Sequence, residues 1–247
     1  VWWLKIHGGQ IGQSVHIGVG SIIVSNDVKL SNGARIGNGT HIVAETVKLG
    51  KRVWIGHRTQ IRTRILSMGD ESEITNDVEI GGMDSPHSFL ILGKKSSIMA
   101  HCFVNTTYGV TVGDEVGVGG YSLIFSHGSW GNVLDGYPYQ AGSVKIGNKV
   151  WLPWGVFIMP NVEIGEGTVI GARAVVTHSL PAHVLAVGVP AKIVETDYPK
   201  PLAAQQKNEW IERIENEKKE YFTWKCREPT ARDLKDFYGR YGIRGAH

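Results

Sequence analysis

The sequence predicts an all-β solenoid: a parallel β-helix of about eight triangular coils, with one extended loop and a helical C-terminal tail. Three observations predict it. Aliphatic residues recur every six positions, with few breaks, from Ile11 to Val176. Glycine fills 32 of 247 positions, about 13% against a usual ~7%, while proline is ordinary, which points to many tight turns rather than a disordered linker. Near Pro201 the six-residue rhythm gives way to a helical one.

The coils come first. Repeat heads fall at Ile11, Ile17 and Ile23, then at Leu30, Ile36 and Ile42, and so on to Ile164, Ile170 and Val176; all twenty-four are aliphatic or methionine. Six residues are too few for a helical repeat and suit a short strand plus a sharp corner. Three such sides close a triangle, and stacking at ~4.8 Å per coil gives a column of ~38 Å. Heads point inward. The fourth residue after each head is small where the corner is narrow, as at Ser21, Thr40, Cys102, Ser122 and Ala174. Glycine directly after the head, as at Gly37, Gly56, Gly119 and Gly171, is expected to relieve the turn. A single coil cannot bury itself, so the ends need caps.

The breaks in the rhythm come next. Early coils run to nineteen residues, one residue bulging at a corner. Six extra residues, "MDSPHS" among them, stand between Ile80 and Leu92, and sixteen leave the column between Ile124 and Ile146, just after His127. The column domain is expected over 1–200, with its loop excursion at 128–145, and the tail over 201–247. In the tail, "PLAAQQKNEWIERIENEKKEYF" reads as a helix with Trp210, Ile211, Ile214 and Tyr221 on one side and supportive pairs Glu209–Arg213 and Glu215–Lys219. Thr230 and Asp233 mark a second helix start and Gly239 its stop. The tail is expected to cap the column or to mediate an oligomer contact.

Composition narrows the function. A net charge of +3 without a clustered basic face does not imply nucleic acid. No apolar run reaches the ~18 residues of a membrane span. Cys102 and Cys226 are expected to be reduced, buried or incidental thiols. The chain opens on "VWWLKI" with no methionine, which leaves a preceding leader or targeting segment open. No P-loop, dinucleotide fingerprint or Cys-pair zinc motif is visible.

Hexapeptide repeats of this form resemble the left-handed parallel β-helix acyltransferases; the handedness comes from that resemblance alone. It is closest from Val112 to Val194, where "VTVGDEVGVGGYSLIFSHGSW", the "NKVW" turn and the closing "GVPAKIV" are similar to the maltose, galactoside and capsular-polysaccharide O-acetyltransferases. The resemblance implies a homotrimer, acetyl-CoA in the groove between neighbouring columns, no metal, and a cytoplasmic location, where CoA is found. It makes His127 the general base. An imidazole with a reference pKa of ~6.5 is mostly neutral at pH 7 and can take the proton of a sugar hydroxyl. Trp151 would pack at the thioester end of the groove. Gly155 matches a close-approach position, with a backbone N–H as the simplest oxyanion donor. Arg173, Lys192 and His178 would meet the CoA phosphates, His178 standing where the family usually has lysine. In the excursion, Trp130, Tyr137 and Tyr139 suit stacking on a sugar and Asp135 suits its hydroxyls. "MAHCFVNTTYG" replaces the family's usual acceptor stretch, with His101, Asn105 and Thr107 in those surroundings. Maltose or galactoside specificity is therefore not carried over, and the long column suits a larger or polymeric acceptor.

Three other readings stay open. One is N-acetylation of an amino-sugar nucleotide, which needs the same base. Another is a non-catalytic β-helix scaffold. The third is a γ-class carbonic anhydrase, which needs histidines five apart within the repeats; only His178 and His183 have that spacing, and they lie in the end cap.

Overall fold

A head every six residues yields strands of two to four residues, each followed by a corner. The computed structural model describes residues 8–129, 131–224, 229–239 and 241. Contacts divide the chain into two units, 1–199 and 200–247.

The first unit is a parallel β-helix with three faces. The first face stacks eight strands, from Gln10–Ile11 to Glu163–Ile164. The second stacks ten, from His16–Ile17 to Val184–Val187, and ends on Lys192–Thr196. The third stacks eight, from Ile22–Val24 to Val175–Val176. The register sets head upon head: Ile11 on Leu30, Leu30 on Leu49, Leu49 on Met68, and likewise Ile98 on Val118 and Ile124 on Ile158. From Leu30 to Val176 every head is buried. Ile11, Ile17 and Ile23 in the first coil are only partly covered.

Eight coils were expected, and the structure adds part of a ninth. Leu180 bridges to Ile164, and Val184–Val187 pairs with Val169–Ile170. The step from Val176 to Leu180 is four residues and Pro181 follows, so the six-residue count ran out at Val176. Lys192–Thr196 then turns back antiparallel on Val184–Val187 and covers that sheet edge.

The corners assign glycine a different role from the expected one. A Cβ on Gly56 would lie 2.4 Å from the Thr75 carbonyl carbon, and one on Gly93 would lie 2.3 Å from that of Gly113. The glycine after the head therefore lets adjacent coils approach. The left-handed conformation falls two residues later, on Gly39 (φ 65°) but also on Arg58 (φ 55° at its counterpart Arg52, 54° at Arg58 itself) and Arg173 (φ 59°). Side-chain acceptors on the next coil steady these turns: Asn38 Oδ1 accepts from the Val19 amide at 3.0 Å, and Asp70 Oδ1 from the Lys51 amide at 2.7 Å. Gly56→Ala is expected to cost about 3 kcal/mol through backbone overlap. Gly39→Ala, whose Cβ would meet nothing nearer than 3.9 Å, should cost about 1 kcal/mol, the left-handed penalty alone. Urea denaturation of the two variants checks the order.

At the second corner the polar fourth residues Thr40 and Cys102 are hydrogen-bonded as well as buried. Thr40 Oγ1 donates to the Gly56 carbonyl at 2.6 Å, and the Cys102 thiol to that of Gly119 at 3.2 Å. Burial pushes the Cys102 thiol up to about 11, so it is an inert packing group. Cys226 lies outside the described residues.

The second unit is a helical pair, α1 (Ala204–Trp224) and α2 (Ala231–Gly239). Ile214, Phe222 and Phe237 form its small core. The expected apolar stripe is corrected: Trp210 and Ile211 are exposed, and Phe222 takes the buried place. The charge pairs also differ, because Arg213 pairs with Glu217 and Glu215 with Lys218. The start of α2 is as read: the Thr230 amide donates to Asp233 at 2.9 Å, and the Asp233 amide to Thr230 Oγ1 at 3.3 Å.

Candidate active site

Both long breaks in the rhythm leave the column at the third corner, where the third face turns into the first. Residues 82–88 leave between Glu79–Gly81 and Phe89–Leu92; residues 127–143 leave between Leu123–Phe125 and Val144–Ile146. The excursion thus returns to the column at Val144, slightly earlier than read from the sequence.

A buried seam of hydroxyls lies beneath this corner. Ser88 Oγ is 2.9 Å from Thr63 Oγ1 and 3.2 Å from Thr106 Oγ1. Ser126 Oγ donates to the Asn105 carbonyl at 2.8 Å and accepts from the Tyr108 amide at 2.9 Å. Thr107 Oγ1 accepts from the Met83 amide at 3.0 Å, and Asn105 Oδ1 from the Thr107 amide at 3.1 Å. Asn105 and Thr107 are therefore buried supports for the loops rather than surface contacts. His101 stands at the second corner, its ring 4.8 Å from that of Tyr121.

Rings line up above the seam. His127 opens a two-residue antiparallel pairing, His127–Gly128 against Gln140–Ala141. Its half-buried imidazole stacks on Tyr108 at 6.2 Å and meets Tyr139 edge-on at 5.6 Å. The Tyr108 and Tyr139 hydroxyls are 2.5 Å apart, a bond that ties the excursion to the column. That bond to Tyr108, with some desolvation, raises the pKa of Tyr139, so its phenol is neutral at pH 7. On its other side along the corner, Tyr108 stacks on His87 at 6.1 Å. The result is an imidazole held on one face and one edge, able to take a proton from a group entering the corner.

The remaining predicted residues separate. Asp135 sits in a short 3-10 turn, Val133–Asp135, where it accepts from Asn132 Nδ2 at 3.0 Å. Tyr137 is exposed and packs over Gly131. Trp130 lies outside the described residues. Trp151 projects from the second face, 57% exposed. Gly155 is a second-corner residue with φ 72°, not a close-approach glycine, and its amide already donates to the Gly120 carbonyl at 2.9 Å. Arg173 stacks on it one coil further along, its Cγ 3.4 Å from where a Gly155 Cβ would lie. Lys192 is on the last strand of the second face. His178 is at the third corner, two coils beyond His127, its Nδ1 2.9 Å from Thr177 Oγ1. In a three-sided column the second face lies opposite the third corner. One chain therefore does not bring His127 together with Trp151, Gly155, Arg173 or Lys192.

Sequence reading missed His87 and Tyr108. A signal was available: both insertions follow third-face heads, Ile80 and Ile124, so counting heads in threes places them on one edge.

Repeat and fold together define a hexapeptide-repeat β-helix. The sequence pattern of a family described as "Bacterial transferase hexapeptide (six repeats)" matches residues 143–178. A protein of Escherichia coli (strain K12), provisionally named as the colanic acid biosynthesis acetyltransferase WcaF, is 39% identical over 85 residues, covering 32% of this chain and 47% of that protein. A provisionally named acetyltransferase of Staphylococcus aureus (strain MRSA252) is 51% identical over 55 residues, covering 22% of this chain and 28% of that protein. The chain thus spans less than half the length of these relatives. Among solved structures, the UDP-N-acetylglucosamine acyltransferase LpxA of Bacteroides fragilis 9343 superposes with a TM-score of 0.60 at 16% identity, covering 76% of this chain and 71% of that one, a likeness of fold. The resemblance to hexapeptide-repeat acyltransferases drawn from the sequence is borne out.

Proposed function

We propose that this chain is an acetyl-CoA-dependent O-acetyltransferase that acetylates a hydroxyl of a sugar or surface polysaccharide. The observation that carries the reading is the cradle of His127, an imidazole fixed between Tyr108 and Tyr139 where the column's rhythm breaks. His127 takes the acceptor hydroxyl's proton as the oxygen attacks the thioester carbonyl. It returns that proton to the departing thiolate, leaving an acetyl ester and free CoA. The oxyanion donor is an amide other than that of Gly155.

The opposed positions of His127 and the Trp151–Arg173 side support a site shared between copies. In a homotrimer, the third corner of one subunit faces the second face of the next, and acetyl-CoA lies between them. Arg173, Lys192 and His178 are then candidates for its phosphates, and Asp135, Tyr137 and Tyr139 for the acceptor. Such an enzyme would work in the cytoplasm, where its co-substrate is made. Among the described residues, no helix is long and apolar enough to cross a membrane.

Thiol release from acetyl-CoA with hydroxyl-bearing and amine-bearing glycans tests the chemistry. Turnover with amines alone would move the assignment to N-acylation, and no CoA binding would leave a scaffold. Mixed trimers of His127→Ala and Arg173→Glu subunits test the shared site. About a quarter of the interfaces would hold both native groups, so about that fraction of activity should return. No recovery would place the site within one chain.

A further inference from the structure

The second histidine of the ring stack leads into a shallow, open depression of about 460 Å³ on the same edge, lined by Arg64, Pro86, His87, Phe89, Tyr108 and Ser143. Its lining is three flat rings, a proline, the Ser143 hydroxyl and one guanidinium. Stacked rings suit the apolar face of a pyranose. The guanidinium is under-used: Arg64 Nε has no hydrogen-bond partner, and one Nη reaches Glu45 at only 3.4 Å, well beyond the ~2.7–2.9 Å of a good charge-assisted bond. Over a third of the Arg64 side chain remains open. The open end of this planar fork matches a carboxylate, while the unpartnered Nε lies buried behind it. Tyr108 lines the depression and also stacks on His127, so a group held here is a neighbour of the group at the imidazole.

We propose that this depression holds a carboxylate-bearing sugar of the acceptor, so that the acceptor is an acidic glycan. Arg64 binds the carboxylate, and Phe89 and His87 flank the ring. This proposal rests on the acetyl-transfer reading for its meaning, but its test does not require turnover. Titration calorimetry without acetyl-CoA would compare glucuronic-acid oligosaccharides with their carboxyl-reduced counterparts. The native chain should bind the acidic series about tenfold more tightly, the usual worth of a charged hydrogen bond. Arg64→Ala should abolish that difference while leaving the reduced series unchanged, and Arg64→Lys should keep part of it. Equal binding of both series, or binding of neither, would overturn the proposal. So would an Arg64→Ala variant weakened only toward CoA, which would assign the guanidinium to a CoA phosphate instead. Loss of activity in His127→Ala concerns the chemistry alone, so the two readings can fail separately.

Discussion

Replacing His127 by alanine is expected to lower acetyl transfer by about 10²- to 10⁴-fold, the usual contribution of a positioned general base. Fold and CoA affinity should stay near native. The imidazole is outside the hydrophobic column, and its neighbours Tyr108 and Tyr139 remain joined through their hydroxyls. The loss should therefore fall on kcat, because the group acts on the proton in flight rather than on substrate affinity. Tyr139→Phe is a useful companion, since it cuts the tie between loop and column but leaves the ring edge beside His127. A His127→Ala variant with near-native rate would remove the base from the mechanism. It would turn the ring stack into a purely structural device.

The second large effect is on stability. Ile98→Ala, in the middle of the second-face ladder and fully buried, should cost about 2–5 kcal/mol. The upper part of that range is expected here for a geometric reason. Backbone bonds fix the coil above and the coil below: the Thr75 amide donates to the Ile98 carbonyl at 2.8 Å, and the Met99 amide to that of Val118 at 2.9 Å. Ile74 and Val118 cannot close over the hole without breaking those bonds, so the cavity persists. Ile17→Ala, on the partly covered first coil, should cost much less. Urea denaturation of both variants gives the comparison, and equal losses would contradict the ladder account.

The ladder itself was legible in the sequence because its signal is redundant. Every head repeats one physical demand, an aliphatic side chain at a fixed spacing, and the register places those heads on one another. The ninth coil was lost where a four-residue step and Pro181 hid that spacing. The glycines were misread because a tight turn and a close approach both select glycine; only the neighbouring backbone, as beside Gly56, tells them apart. Trp210 and Ile211 fit an apolar stripe on a helical wheel, yet the partner helix covers Ile214 and Phe222 instead. The candidate site was half legible. His127 was marked by the loop that leaves beside it. His87 and Tyr108 had no periodic mark of their own, since their meaning comes from the corner they share with it.

The nineteen-residue spacing of the early coils carries a consequence for how such a chain can change length. Leu30 and Leu49 are partners in register, so excising 31–49 would splice Leu30 to Gly50 in phase, as Leu49 is joined to it now. The molecule would shorten by roughly 4.8 Å with every later side still facing the same way. A residue left behind would have to bulge at a corner, since coils of 18 residues (Ile146 to Ile164) and 20 (Leu92 to Val112) stack head on head just as this one does. Evolution can therefore lengthen or trim this end in whole increments, leaving the corner of His87, Tyr108 and His127 in phase.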